Sequence, residues 1–228
     1  MGARVPTMDA AAVLRDASAI LAVPDQVMCA AKQLQHRSRG QHGVAACLVL
    51  ASKMCEAQRR TRDVINAVHL AQTGELLRST HEYWALKEAL VLAEQNLLRA
   101  LAFDAECDDR QVLLLNSLRL FRAPLVQYKL SVALLNDCTG IAACERYAAR
   151  VLVAAAMALS AEMLELQVLP DRWLDILEVS SNSLTGACHA MLDAYSQTSR
   201  TKARSLPAES ALGGEGQVET RPAQSTVG

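Results

Sequence analysis

Cysteine and histidine are the side chains best suited to nucleophilic or metal-binding chemistry, and this 228-residue chain carries seven of the first and five of the second. Cys29, Cys47, Cys55, Cys107, Cys138, Cys144 and Cys188 include no pair at the two-residue spacing of a zinc knuckle or a dithiol redox motif. Cys188 and His189 are neighbours, but adjacent residues on a helix point about 100° apart and do not face each other as nucleophile and base. A helical hydrolase using His69, His81 and a cysteine has no motif behind it, and no glycine-rich phosphate loop is present. The expectation is no catalytic residue, no metal site and no cofactor, with most thiols reduced and buried as small hydrophobes. A short basic cluster, Arg59, Arg60 and Arg62, could meet acidic residues or a phosphate, or simply be solvated at a helix start.

Bulk composition narrows the classes further. Lysine plus arginine number 23 against 24 aspartate plus glutamate, so the formal net charge is −1. A nucleic-acid binder draws most of its affinity from neutralising phosphates, and this chain is poorly equipped for that. The longest uncharged apolar runs, Gly43 to Ser52 and Val151 to Ala161, are about half the roughly 20 residues of a membrane-spanning helix. Met1 to Asp9 lacks the apolar core of a secretory signal, so an intracellular protein is expected, with neither a membrane nor a small-molecule ligand as partner. Arg200, Lys202 and Arg204 form a short basic group of the kind that aids nuclear import.

The elements that would position any site read as helices throughout. Hydrophobic residues make up 51% of the chain but aromatics only 4%, and alternating β-branched runs are missing, which predicts an all-α fold. Helices are expected from about Asp9 to Ala22, Pro24 to Arg37, Gly43 to Glu56, Thr61 to Ala71, and Ser79 to Ala102, the last opened by the Ser79 and Glu82 capping pattern. After Asp104 the plan repeats: Asp108 or Asp109 to Phe121, Pro124 to Thr139, about Ile141 to Leu164, a short helix at Trp173 to Glu178, and Ser183 to Gln197. The third and eighth contain stretches apolar all round, which marks buried axes, and these lie about 105 residues apart. That spacing suits two five-helix units in tandem, residues 8–104 and 105–198; two four-helix bundles fit the same pattern. Trp84 and Trp173 are expected as core anchors. Residues 199–228, rich in Ser, Thr, Gln, Gly and Pro, read as a disordered tail.

The segments carry a resemblance. LASKMCEAQRRTRDVINAVH (Leu50 to His69) resembles the centre of the first cyclin box, where a buried helix closes on a lysine, and YWALKEALVLAEQNLLRALAFD (Tyr83 to Asp104) looks like the fifth helix of that box. The RRTRDVIN run (Arg59 to Asn66) is most similar to the cyclin L and cyclin Q types, and YAARVLVAAAMALSAEML (Tyr147 to Leu164) to cyclin Q. The resemblance implies tandem cyclin boxes and a non-catalytic regulatory subunit of a transcription-linked, cyclin-dependent protein kinase. It further implies that Lys53 and Glu94 hydrogen-bond the kinase backbone, with Leu50, Met54, Leu98 and Phe103 as apolar neighbours. By itself, Lys53 also reads as a charge favouring its helix C-terminus, and Glu94 as a solvated surface residue. The segment Asp9 to Leu21 lacks the Met-Arg-Ala-Ile-Leu patch with which cell-cycle cyclins dock substrates. The rival class within this fold is a transcription factor or scaffold binding DNA or other proteins without a kinase.

Overall fold

The computed structural model describes residues 9–205, with side chains through residue 196. Among the described residues the structure is helical, without strands, in the order α1 (Ala10–Ile20), α2 (Asp25–Arg37), α3 (Val44–Met54), α4 (Thr61–Thr73), α5 (Thr80–Ala100), α6 (Arg110–Leu120), α7 (Leu125–Cys138), α8 (Ala149–Met163), α9 (Trp173–Ile176) and α10 (Ser181–Ser205). Local chemistry sets most starts. Asp9, Ser79 and Asp109 each accept a hydrogen bond from a backbone N–H of the first turn they cap, satisfying a donor that has no intrahelical partner. Pro24 and Pro124 sit just outside α2 and α7 as extended caps, one residue earlier than the first helical position expected for Pro24.

Two helices without a polar face organise the packing. In α3, Val44 and every residue from Ala46 to Ser52 are buried, and α1, α2, α4 and α5 pack around it. In α8, every residue from Val151 to Met157 is buried among α6, α7 and α10. Each axis lies in its own hydrophobic cluster, one built on Leu14, Leu34, Leu48 and Leu97, the other on Leu114, Leu135, Leu152 and Met157. A fully buried leucine contributes roughly 1.5–3 kcal/mol, so each cluster outweighs any single polar contact in the molecule.

Two boundaries differ from the sequence-based expectation. The helix expected from about Ile141 starts only at Ala149, because residues 142–146 turn to bring Glu145 back under Arg110 and the amide of Gly140. At the other end, α10 runs on to Ser205, past the end expected near Gln197; residues 206–228 of the expected tail lie outside the described residues.

The seam between the clusters is polar, and α2 lines much of it. Gln33 exchanges two hydrogen bonds with the backbone of Asp108. Arg37 donates to the carbonyls of Asp104 and Glu106, and Lys32 to the carbonyl of Asn136 at 2.7 Å. Arg110 and Glu145 form a two-pronged ion pair at 2.6 and 2.9 Å, with side chains only 5% and 9% exposed. Gly140 lets α2 approach closely: its φ is +85°, and a Cβ there would lie 3.1 Å from Cβ of Lys32.

Candidate functional site

Where α3 leaves the core, its buried run ends and Lys53 is its first charged residue, 49% exposed. The long helix α5 packs on α3 and presents Glu94 beside it. The Lys53 ammonium donates to Glu94 Oε1, while the glutamate side chain is 16% exposed. A charge-assisted bond of this kind fixes both side chains at the edge of the α3–α5 packing. The expectation that Lys53 is a lone helix-end charge and Glu94 a solvated residue therefore gives way to a single joined pair.

The apolar residues assigned to the same surface divide by depth. Leu50 lies in the core at 6% exposure, one turn below Lys53, so it supports the surface from beneath. Met54 and Leu98 are half-buried against the same cluster. Phe103 is 73% exposed, and it follows α5 with φ of +60°, its amide donating to the Leu98 carbonyl at 2.8 Å. A bulky residue rarely adopts that left-handed conformation, and here it holds an aromatic ring out in water. Val91 is an exposed residue that the sequence reading did not single out. It stands three before Glu94 as Leu98 stands four after, so all three share one side of α5.

Other candidates separate from this surface. Arg59 is tied to the end of α1, donating to the carbonyls of Leu21 and Ala22 at 3.2 and 3.0 Å. Trp173 packs against the second cluster, but Trp84 is exposed rather than a core anchor: Tyr83 takes the inward position, and the next residue points outward, under the Lys87 ammonium. Burial pushes the Cys188 thiol up, the wrong direction for a nucleophile. Burial likewise pushes Cys29 and Cys107 up to about 11 and Cys47 up to about 12. Among the described residues, no three acidic, histidine or cysteine side chains converge to hold a metal ion, and no helix is long and apolar enough to cross a membrane.

No family model matches the chain. In sequence it is similar to Cyclin pch1 of Schizosaccharomyces pombe, 28% identical over 174 residues, which is 72% of this chain and 50% of that protein. It is also similar to Cyclin-L1 of Xenopus laevis, 27% identical over 204 residues, or 81% of this chain and 41% of the relative. Cyclin-L2 of Homo sapiens is 26% identical over 167 residues, 69% and 32% of the two chains. The chain thus spans about half the length, or less, of these curated relatives. In fold it resembles a chain from the crystal structure of the yeast RNA Pol II CTD kinase CTDK-1 complex, with a TM-score of 0.68 at 15% identity, covering 93% of this chain and 78% of that one.

Proposed function

We propose that this chain, similar in sequence to cyclins of the L type, is a non-catalytic regulatory subunit that binds and activates a cyclin-dependent protein kinase. The observation that carries the reading is the Lys53–Glu94 pair, set where the buried run of α3 reaches the surface, with exposed Val91 on the same side of α5 and exposed Phe103 just past its end. Such a surface offers a kinase two things. Its apolar residues bury area against the mobile regulatory helix of the kinase, and its charged pair supplies both a donor and an acceptor to backbone groups at that helix. By binding the swung-in state better than the swung-out one, the chain shifts the kinase population towards the arrangement in which its phosphate-positioning Lys–Glu ion pair forms. Lys53, Glu94, Met54, Leu98 and Phe103 make this contact, with Leu50 holding the lysine turn from below.

Residues 8–104 and 105–198 act as the two boxes, the first carrying the kinase contact, and the working place is the nucleus. The resemblance to L-type cyclins, whose kinase partners are transcription-linked, supports that assignment. The near-neutral charge of the chain disfavours the DNA-binding alternative. The test is affinity capture from native extract with mass spectrometry, followed by a kinase assay on the recovered complex. A stoichiometric protein kinase whose activity requires the chain supports the reading. Salt-sensitive retention of DNA with no kinase would overturn it.

A further inference from the structure

The sequence cluster Arg59, Arg60 and Arg62 has divided roles in the fold. Arg59 closes the end of α1, whereas Arg62 stands in the first turn of α4 and reaches over the ring of Tyr83, 5.9 Å from its centroid. Between them, α4 and the start of α5 flank an open surface cleft of about 230 Å3, lined among others by Arg62, Asn66, Leu77, Arg78, Thr80 and Tyr83. Arg62 and Asn66 are one helical turn apart on α4, so their side chains project in the same direction. Arg78 enters from the loop before α5.

Neither Arg62 nor Arg78 has a carboxylate partner among the described residues, although Asp63 and Glu82 are close in sequence. Two exposed arginines without a carboxylate partner line one cleft and favour an anion there, and the planar fork of each matches the oxygens of a phosphate. Asn66, Thr80 and the Tyr83 hydroxyl supply further hydrogen-bonding groups. The start of α5 is not what makes the site, since Ser79 already accepts from the Glu82 amide.

The walls show which phosphate fits. Leu77 and the exposed Trp84, itself edge-on to Tyr83 at 5.5 Å and capped by Lys87 at 4.7 Å, give the cleft an apolar and aromatic shoulder. A free phosphate would leave that shoulder unused. A nucleic acid would need a run of basic residues, and the net charge of −1 does not provide one. We propose that this pocket docks a phosphorylated serine or threonine in a flexible segment of a partner protein, the phosphate between Arg62 and Arg78 and a flanking residue against Trp84. The pocket lies about ten residues before Glu94 along α5, roughly 15 Å away at 1.5 Å per residue, so a docked segment leaves the Lys53–Glu94 surface free.

The experiment uses the full chain without any kinase, in fluorescence anisotropy against a labelled seven-residue peptide library centred on phosphothreonine and its unphosphorylated counterpart. Inorganic phosphate and a ten-nucleotide RNA serve as competitors. The phosphorylated library should bind at least about tenfold more tightly, the size expected for charge-assisted hydrogen bonds. Arg62→Ala and Arg78→Ala should each remove about tenfold or more of that affinity, while Arg60→Ala and Lys53→Ala leave it unchanged. Circular dichroism melts of each variant separate lost binding from lost structure, and Arg78→Ala, in an exposed loop, keeps the test open if Arg62→Ala unfolds. Equal binding of the two libraries, wild-type affinity in both arginine variants, or binding of the RNA alone would overturn the proposal. Because no kinase is present, failure here leaves the kinase reading standing, and the reverse also holds.

Discussion

Lys53 and Glu94 are separated by 41 positions in the chain and joined by one hydrogen bond in the fold. Their positions are readable by resemblance, but their pairing is not, since nothing local to either residue points to a partner so distant. The pair is half in water on the lysine side, and exposed ion pairs contribute about 0.2–1 kcal/mol. Lys53→Ala and Glu94→Ala should therefore each lower stability by no more than about 1 kcal/mol in thermal melts of the free chain. Against the captured kinase the same substitutions should cost about 2–5 kcal/mol, since each strands a buried polar partner at the interface. Early unfolding of either variant, or full kinase activation by both, would count against the assigned surface. The thiols give a second expectation at this scale. With Cys29, Cys47 and Cys107 held at about 11 to 12 by burial, the native chain at pH 8 should react with iodoacetamide at these positions far more slowly than the denatured chain, read by intact mass. Rapid labelling of Cys188 in the folded state would reopen the nucleophile reading.

At the scale of elements, α3 and α8 are legible from sequence because a helix apolar on every side has no other stable place than the centre of a cluster. Helix ends are less legible, and for a physical reason. Glycine is the usual signal for a left-handed C-terminus, yet Ala22, Arg39, Glu56, Ala102, Arg122, Glu165 and Glu178 all follow helices with positive φ. Left-handed glycines mark ends in the expected way at Gly40 after α2, Gly74 after α4 and Gly140 after α7. Each non-glycine residue in that conformation carries backbone strain of about 1–2 kcal/mol, partly offset on replacement by the greater freedom of glycine in the unfolded chain. Glu165→Gly, at an exposed position after α8, should accordingly stabilise the protein by about 0.5–1 kcal/mol in urea denaturation. The turn at 142–146 was hidden from sequence for a different reason. Its cause is Arg110, 35 residues upstream, which periodicity within the segment cannot reveal.

For the molecule as a whole, the Arg110–Glu145 pair makes the seam sensitive to acid. Burial by itself would raise the Glu145 carboxyl, but hydrogen bonds from Arg110 and the Gly140 amide hold it below the usual carboxylate range. A carboxylate depressed in the folded state stabilises fully above its unfolded value of about 4.3, and that contribution is lost as pH falls through the lower folded value. Melting temperature should therefore decline from about pH 5 downward, and Glu145→Gln should flatten that decline while lowering stability at pH 7 by about 1–3 kcal/mol, because buried Arg110 keeps only Asp108, at 3.2 Å, as a carboxylate partner. An unchanged acid slope in Glu145→Gln would show that other carboxylates dominate.

The polar character of the same seam has a bearing on how the chain is made. An N-terminal unit generally folds first as it leaves the ribosome, and it must wait for the rest. On the face of α2 that later meets the second cluster, the waiting groups are Lys32, Gln33 and Arg37, which water can satisfy until Asn136, Asp108 and Glu106 arrive. A nascent first unit therefore presents a hydrated surface instead of a sticky one, and it can pause through the synthesis of the second cluster with little tendency to associate with its neighbours.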